Sequence, residues 1–308
     1  MRRLGVVLIV AVVSFATFVA SAVFVPAGPA LGDTDLDAFH GLGAWVDVFD
    51  YAPRTQPEGA PPAVTPAAVD DMAALGVHTL YIQVVNPEGS SPDSLVDARQ
   101  LREFLARGHD AGLAVVAWYL PKAVDVASDA SMMRTIAKFR SEGRGFDALA
   151  LDLEDTVSVT DVAVRNAHVV KLAKQTRALL GRDRALGAIV YPAVLTELIN
   201  PALWPSFPYR KLEPSVDVWL PMTYFTFRSK DSGYRDPLAY TVESVKLLRA
   251  HLRDQKATVH VVGGIADLAT SADYEAFLRA ARVTNAVGYS LYDYRTTSSA
   301  AWTYLRSR

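Results

Sequence analysis

The chain has 308 residues, 51% hydrophobic and 21% charged, which supplies enough apolar material for a substantial core and excludes a disordered polymer. A formal net charge of −2 argues against a general nucleic-acid binder, which would carry a basic surplus. The absence of cysteine excludes disulfides, thiolate metal sites and cysteine nucleophiles, and leaves the redox compartment open.

Residues 1–30 are predicted as a signal peptide or N-terminal membrane anchor. Arg2 and Arg3 precede a run without charge from Leu4 to Val25, about long enough to cross a bilayer once. Ala20-Ser21-Ala22 is similar to a small-residue cleavage site. Either outcome places the remainder outside the cytoplasm, secreted or tethered to the membrane by this segment, because positive charge stays inside. Residues 31–308 are predicted as one domain.

From about Gly41 a rhythm repeats: a β-branched or aromatic run, a loop, then a helix-period segment rich in Ala, Leu and Arg. In chain order the strand-like runs are "AWVDVFD" from Ala44, "HTLYIQVV" from His78, "AVVAWYLP" from Ala114 and "DALALDLE" from Asp147. "ALGAIVYP" from Ala185, "DVWLPMTY" from Asp217, "TVHVVGG" from Thr258 and "AVGYSLYD" from Ala286 complete the set. Between them, "TPAAVDDMAALG" predicts a helix capped by Thr65, with Pro66 in its first turn and Gly76 at its end. "SLVDARQLREFLARGHDAG" places Leu95, Leu101 and Leu105 on one stripe and stops at Gly112. Further helices are predicted over roughly 130–141, 160–180, 238–252, 271–281 and 298–306, whereas "AVLTELINPALWPSFPY" is broken by proline. Strands and helices alternating in this way predict a (β/α)8 TIM barrel. The rival, a doubly wound open sheet, would normally show a glycine-rich phosphate turn, and no GxGxxG or Walker sequence is present.

In such a barrel, chemistry gathers at the C-terminal ends of the strands. Strand alternation puts Leu149, Leu151 and Leu153 on one face of the fourth run, and Ala148, Ala150, Asp152 and Glu154 on the other. The leucines suit packing against helices, and the alanines suit a crowded barrel interior that turns acidic at its mouth. Two neighbouring carboxyls repel each other's charge, so one keeps its proton to higher pH, as a general acid for glycosidic cleavage requires. Asp155 suits a helix cap, and Asp147 at the strand start suits a structural role.

The segment "DALALDLE" resembles the fourth-strand signature of family 18 glycoside hydrolases, the chitinase-like barrels, Asp-Gly-x-Asp-x-Asp-x-Glu. Asp147, Asp152 and Glu154 match its first, third and last acidic positions. Met222 and Tyr224 match the family's Met-x-Tyr on the sixth strand. The resemblance implies that Glu154 is the catalytic acid, that Asp152 orients a substrate acetamido group whose oxygen attacks the anomeric carbon, and that Tyr224 helps hold that group. Ala148 stands where the family has glycine, Ala150 replaces its middle aspartate, Phe225 replaces an acid, and "GYSLYDYR" lacks its last-strand tryptophan. An acidic pair on the fourth strand plus an acid on the first also resembles family 25 lysozyme-like barrels, in which Asp47 or Asp50 would be the second carboxylate.

Other candidates follow from position. Asp293, ending the eighth strand, suits a base, an acceptor for a sugar hydroxyl, or a structural partner of Arg295. Glu88 and Asp125 fall on loops, and Gln83 and Asn86 could bond a sugar but alternate onto different faces. Trp45, Tyr51, Trp118, Tyr119, Tyr191, Tyr224, Phe225, Tyr289 and Tyr292 lie near strand ends, where aromatic rings could line a sugar cleft or fill the core. The six histidines are scattered without metal spacing, His78 and His260 near strand starts, so no metal site is expected. No G-x-S-x-G elbow occurs, no cofactor is expected, and no protein partner is evident. The expectation is an extracytoplasmic protein acting on a glycan with N-acetylated amino sugars; the alternatives are a non-catalytic glycan-binding barrel and a lysozyme-like peptidoglycan hydrolase.

Overall fold

The structure is a computed structural model and describes residues 34–86 and 94–306. The predicted signal or anchor segment and Glu88 lie outside the described residues. Among the described residues no helix is long and apolar enough to cross a membrane.

Eight parallel strands close into a barrel in sequence order, β8 pairing back onto β1. They are β1 (Gly41–Val46), β2 (Thr79–Gln83), β3 (Ala114–Tyr119), β4 (Ala148–Leu153), β5 (Leu186–Val190), β6 (Val218–Thr223), β7 (His260–Gly264) and β8 (Gly288–Tyr292). The helices are α1 (Val48–Tyr51), α2 (Ala68–Ala74), α3 (Ala98–Asp110), α4 (Val126–Lys138), α5 (Val162–Leu180), α6 (Tyr209–Leu212), α7 (Pro237–Leu252), α8 (Ser271–Val283) and α9 (Ser299–Leu305). This is the (β/α)8 architecture that the alternating pattern predicts.

Several boundaries differ from expectation for local reasons. The first strand stops at Val46 because the Asp47 carboxylate accepts from the amides of Phe49 and Asp50 and turns the chain into α1. Thr65 caps nothing with its side chain; α2 begins three residues later, behind Ala67. Leu95 precedes α3, whose cap is Asp97, although Leu101, Phe104 and Leu105 do form its buried stripe. Asp125 accepts from Ala127 N–H and starts α4 at Val126, ahead of the predicted start. After β5 the proline-broken segment forms a wide helical turn, Val194–Ile199, and the short α6.

The two faces of β4 divide as alternation requires. Leu149, Leu151 and Leu153 belong to the layer between strands and helices. Ala148 and Ala150 line the interior together with Trp45, Tyr81, Trp118, Ile189, Leu220 and Met222. The barrel is a packed core, and small residues on β4 leave room for the large rings of β1, β2 and β3. Trp45 stacks on Tyr81 with ring centroids 4.3 Å apart and meets Trp118 edge-on at 5.9 Å. Below them Phe39, from a short 3-10 turn ahead of β1, enters the strand-start end of the barrel and is fully buried.

His260 is the polar hinge of this layer. The Phe39 carbonyl can only accept, so the 2.9 Å contact places the proton on His260 Nδ1. Ser290 Oγ accepts from the Trp45 indole at 2.7 Å and donates to His260 Nε2 at 2.9 Å. Burial holds the imidazole neutral, pushing its pKa from 6.5 down to about 4. The unfolded chain therefore takes up a proton that the folded chain refuses, and this contribution is complete above pH 6.5 and lost as pH falls towards 4. Over that window it amounts to on the order of 3 kcal/mol. Urea denaturation of wild type and His260→Asn between pH 7 and 4.5 is expected to show the steeper loss in wild type; parallel pH dependences would refute the assignment.

Candidate active site

The β4 acids stand where the strand leaves the barrel. Asp152 is only 3% exposed, and its Oδ1 has no hydrogen-bond partner. Burial, and then the charge of Glu154, raise its pKa well above the ordinary carboxylate value. Glu154, one residue past the strand, is half-buried and is raised by burial and then by Asp155. Asp155 turns away into its own loop, accepting from Val157 N–H, Ser158 N–H and Ser158 Oγ. It closes that turn rather than capping α5, whose cap is Asp161. Two neighbouring carboxyls that both resist ionisation hold a proton to higher pH than a free carboxyl does.

Two tyrosines face the pair, and a third packs against one of them. Tyr191, just beyond β5, donates to the Glu154 carbonyl at 3.2 Å. Tyr224, just beyond β6, has its ionisation suppressed by burial and then by Glu154, Asp152 and Asp293. It therefore stands within the field of acids from both β4 and β8. Its ring lies 5.9 Å from that of Tyr292. Met222, at 5% exposure, packs beneath them in the interior layer.

A second acidic group closes the opposite seam. One oxygen each from Asp47, Asp50 and Asp293 lie within 4.8 Å of one another. Tyr292 Oη donates to Asp47 Oδ2 at 2.8 Å, and Thr296 N–H donates to Asp293 at 2.8 Å. Arg295 bonds Asp50 at 3.1 Å, where the sequence offered Asp293 as its partner. Burial, reinforced by Asp47 and Asp293, pushes Asp50 up to about 7 despite that guanidinium, and burial chiefly raises Asp293. By spacing the three oxygens could surround a cation; Tyr292, Arg295 and the Thr296 amide already direct positive charge at them.

Most of the remaining candidates engage the chain itself. Asp147 accepts from Val115 N–H at 2.7 Å and pairs with His109 at 2.9 Å, tying β4 to β3 at the far end from Glu154. Gln83 is buried, its side-chain oxygen accepting from Val48 N–H. Trp45, Tyr51 and Phe225 are core; Tyr119 bonds Asp129; Tyr289 reaches outward to the Leu305 carbonyl. Trp118 is 5% exposed, its ring meeting Trp45 edge to face in the interior layer. A groove of about 800 Å³ lies on the flank between α5 and α6, lined by Lys171, Lys174 and Arg210, and contains none of these acids.

No family model matches the chain, and no curated protein matches it. Solved structures do. A C-terminal domain of a putative chitinase from Desulfitobacterium hafniense superposes with a TM-score of 0.62 at 11% identity, over 87% of this chain and 98% of that one. An endoglucanase from Pseudomonas stutzeri gives 0.58 at 13% identity, over 87% and 93%. An endo-1,4-β-D-mannanase from Thermotoga petrophila gives 0.56 at 11% identity, over 82% and 88%. The likeness is one of fold. These neighbours are glycoside-hydrolase barrels of several specificities, and they do not single out family 18.

Proposed function

We propose that this protein is a glycosidase whose general acid/base is Glu154, with Asp152 as its partner, acting on a glycan that contains N-acetylated amino sugars. The observation that carries this reading is the Asp152–Glu154 pair, both carboxyls raised by burial, at the mouth of a barrel shared with glycoside hydrolases. Glu154 supplies a proton to the leaving oxygen, Asp152 accepts from a substrate N–H, and Tyr224 closes the other side of that group. An extracytoplasmic location, secreted or membrane-tethered, belongs to the same proposal and is supported by the N-terminal sequence alone.

A second reading, two-carboxylate cleavage of peptidoglycan, draws support from the acids across the seam. Between the two aspartates left open by the sequence, Asp47 is the better second carboxylate, because it is half-buried whereas Asp50 is 2% exposed. Incubation with chitin oligosaccharides, their de-N-acetylated counterparts and peptidoglycan, with products followed by mass, tests both. Cleavage confined to N-acetylated chitin oligosaccharides is expected. Cleavage of peptidoglycan alone would favour the second reading, and binding without cleavage of any would replace both with a glycan-binding barrel.

A further inference from the structure

The chain leaving Glu154 is held from two sides. Tyr191, beyond β5, donates to the Glu154 carbonyl at 3.2 Å. Two residues on, the Thr156 carbonyl accepts from Arg165 Nη1 at 2.8 Å, and the Val159 carbonyl accepts from the same nitrogen at 3.0 Å. Arg165 lies in the first turn of α5 and is only 3% exposed. A buried guanidinium is costly unless its surroundings replace water. Here carbonyls and a ring do so: the Trp204 ring centroid lies 4.3 Å from the guanidinium carbon, while Nε finds no acceptor. The Trp204 indole donates to Asn166 Oδ1 at 2.7 Å, and Asn166 Nδ2 donates to the Ser206 carbonyl at 2.9 Å. The start of α5 is thereby fastened both to the loop behind Glu154 and to the segment that follows β5. Asp155 and Asp161, by contrast, accept from amides two and three residues ahead of themselves, which folds the loop without tying it to another element.

We propose that Arg165 is a positioning residue for Glu154, clamping the β4–α5 loop so that the acid keeps its half-buried place at the barrel mouth. This deepens the glycosidase reading above and rests on it. Arginine suits the task because its donors reach two carbonyls while the flat face of the guanidinium lies on a ring. Burial is the first cause of the raised Glu154 pKa, ahead of Asp155, and the clamped loop maintains that burial. A loosened loop admits water, and Glu154 then titrates closer to the ordinary 4.5. The titratable groups facing Glu154 are Asp152 on its own strand, Asp155 beside it, Tyr191 beyond β5 and Tyr224 beyond β6. The Arg165 charge bears on Asp155 and Tyr191. Loss of a cation by itself would push a nearby carboxyl upward, so clamping and charge are separated by the sign of the change.

The test uses the full chain, 13C-labelled at the glutamate carboxyls and titrated by NMR. Glu154→Gln identifies the Glu154 signal by its disappearance. Arg165→Met leaves both carbonyls without their donor and fills the space with an unbranched apolar chain, so it is expected to fold. Should it not, Arg165→Gln carries the same expectation. The Glu154 midpoint is expected to fall in Arg165→Met and to return towards the wild-type value in Arg165→Lys, whose ammonium can still donate to both carbonyls. An unchanged midpoint in Arg165→Met would overturn the proposal, because the loop would then have no hold on the acid. So would an upward move, which would mean that Arg165 acts through its charge, or an equal fall in Arg165→Lys, which would mean that its donors are immaterial. This readout needs no substrate, so it is decided even if no glycan is cleaved. Where cleavage occurs, Arg165→Met is expected to lower kcat about tenfold with KM nearly unchanged, and Arg165→Lys to recover most of that loss. A wild-type kcat in Arg165→Met would refute the assignment.

Discussion

Glu154→Gln is expected to reduce kcat by roughly 10²–10⁴-fold while changing substrate affinity only a few-fold. Glutamine keeps the size of the side chain and one acceptor oxygen but has no acidic proton to give to a leaving oxygen. The backbone carbonyl bonded by Tyr191 is unaffected, so the loop after β4 should keep its place. Asp152 would also lose the charge that, after burial, raises its pKa, and its own titration should move down. In wild type the Glu154 pKa lies above the ordinary 4.5, so the protonated acid persists to higher pH than in a free glutamic acid. Activity should therefore fall on a high-pH limb displaced upward from that value, as read in a kcat/KM profile. Equal rates for wild type and Glu154→Gln would remove Glu154 from the chemistry.

Gly288→Ala should destabilise the barrel by about 3 kcal/mol or more. A Cβ at this position would lie 2.2 Å from His260 Nδ1 and 2.3 Å from the Phe39 carbonyl oxygen. Neither neighbour can yield cheaply. One is main chain, and the two are bonded to each other at 2.9 Å in the closed network beneath Trp45 and Tyr81. Relief requires breaking that bond or shifting β8 against β1, where Gly288 pairs with Gly41. The urea midpoint should drop with little change in slope; a change within 0.5 kcal/mol would mean that the interior has slack that the packing does not show.

The fourth strand was legible because its information is local. Alternation of Leu with Ala, then of Leu with Asp and Glu, assigns each side chain to a face without knowledge of any partner. Strand order followed from the same cause, since parallel neighbours joined by helices leave few topologies. Boundaries were less legible. Asp47 looked like part of a strand until its carboxylate was seen bonded to the amides two and three residues on.

The sequence by itself determined the eight-fold alternation of strand and helix, the division of β4 into a leucine face and an acid-tipped alanine face, and the placing of Asp152 and Glu154 together. These depend on periods of two and 3.6 residues, which the chain carries wherever it goes. Only the tertiary structure decided that Tyr292 bonds Asp47, that Arg295 answers Asp50, and that Trp45 and His260 meet at Ser290. The first three of these bonds each span 245 residues and exist because β8 closes on β1. Closure is a property of all eight strands together, and no local pattern records which side chains it brings face to face.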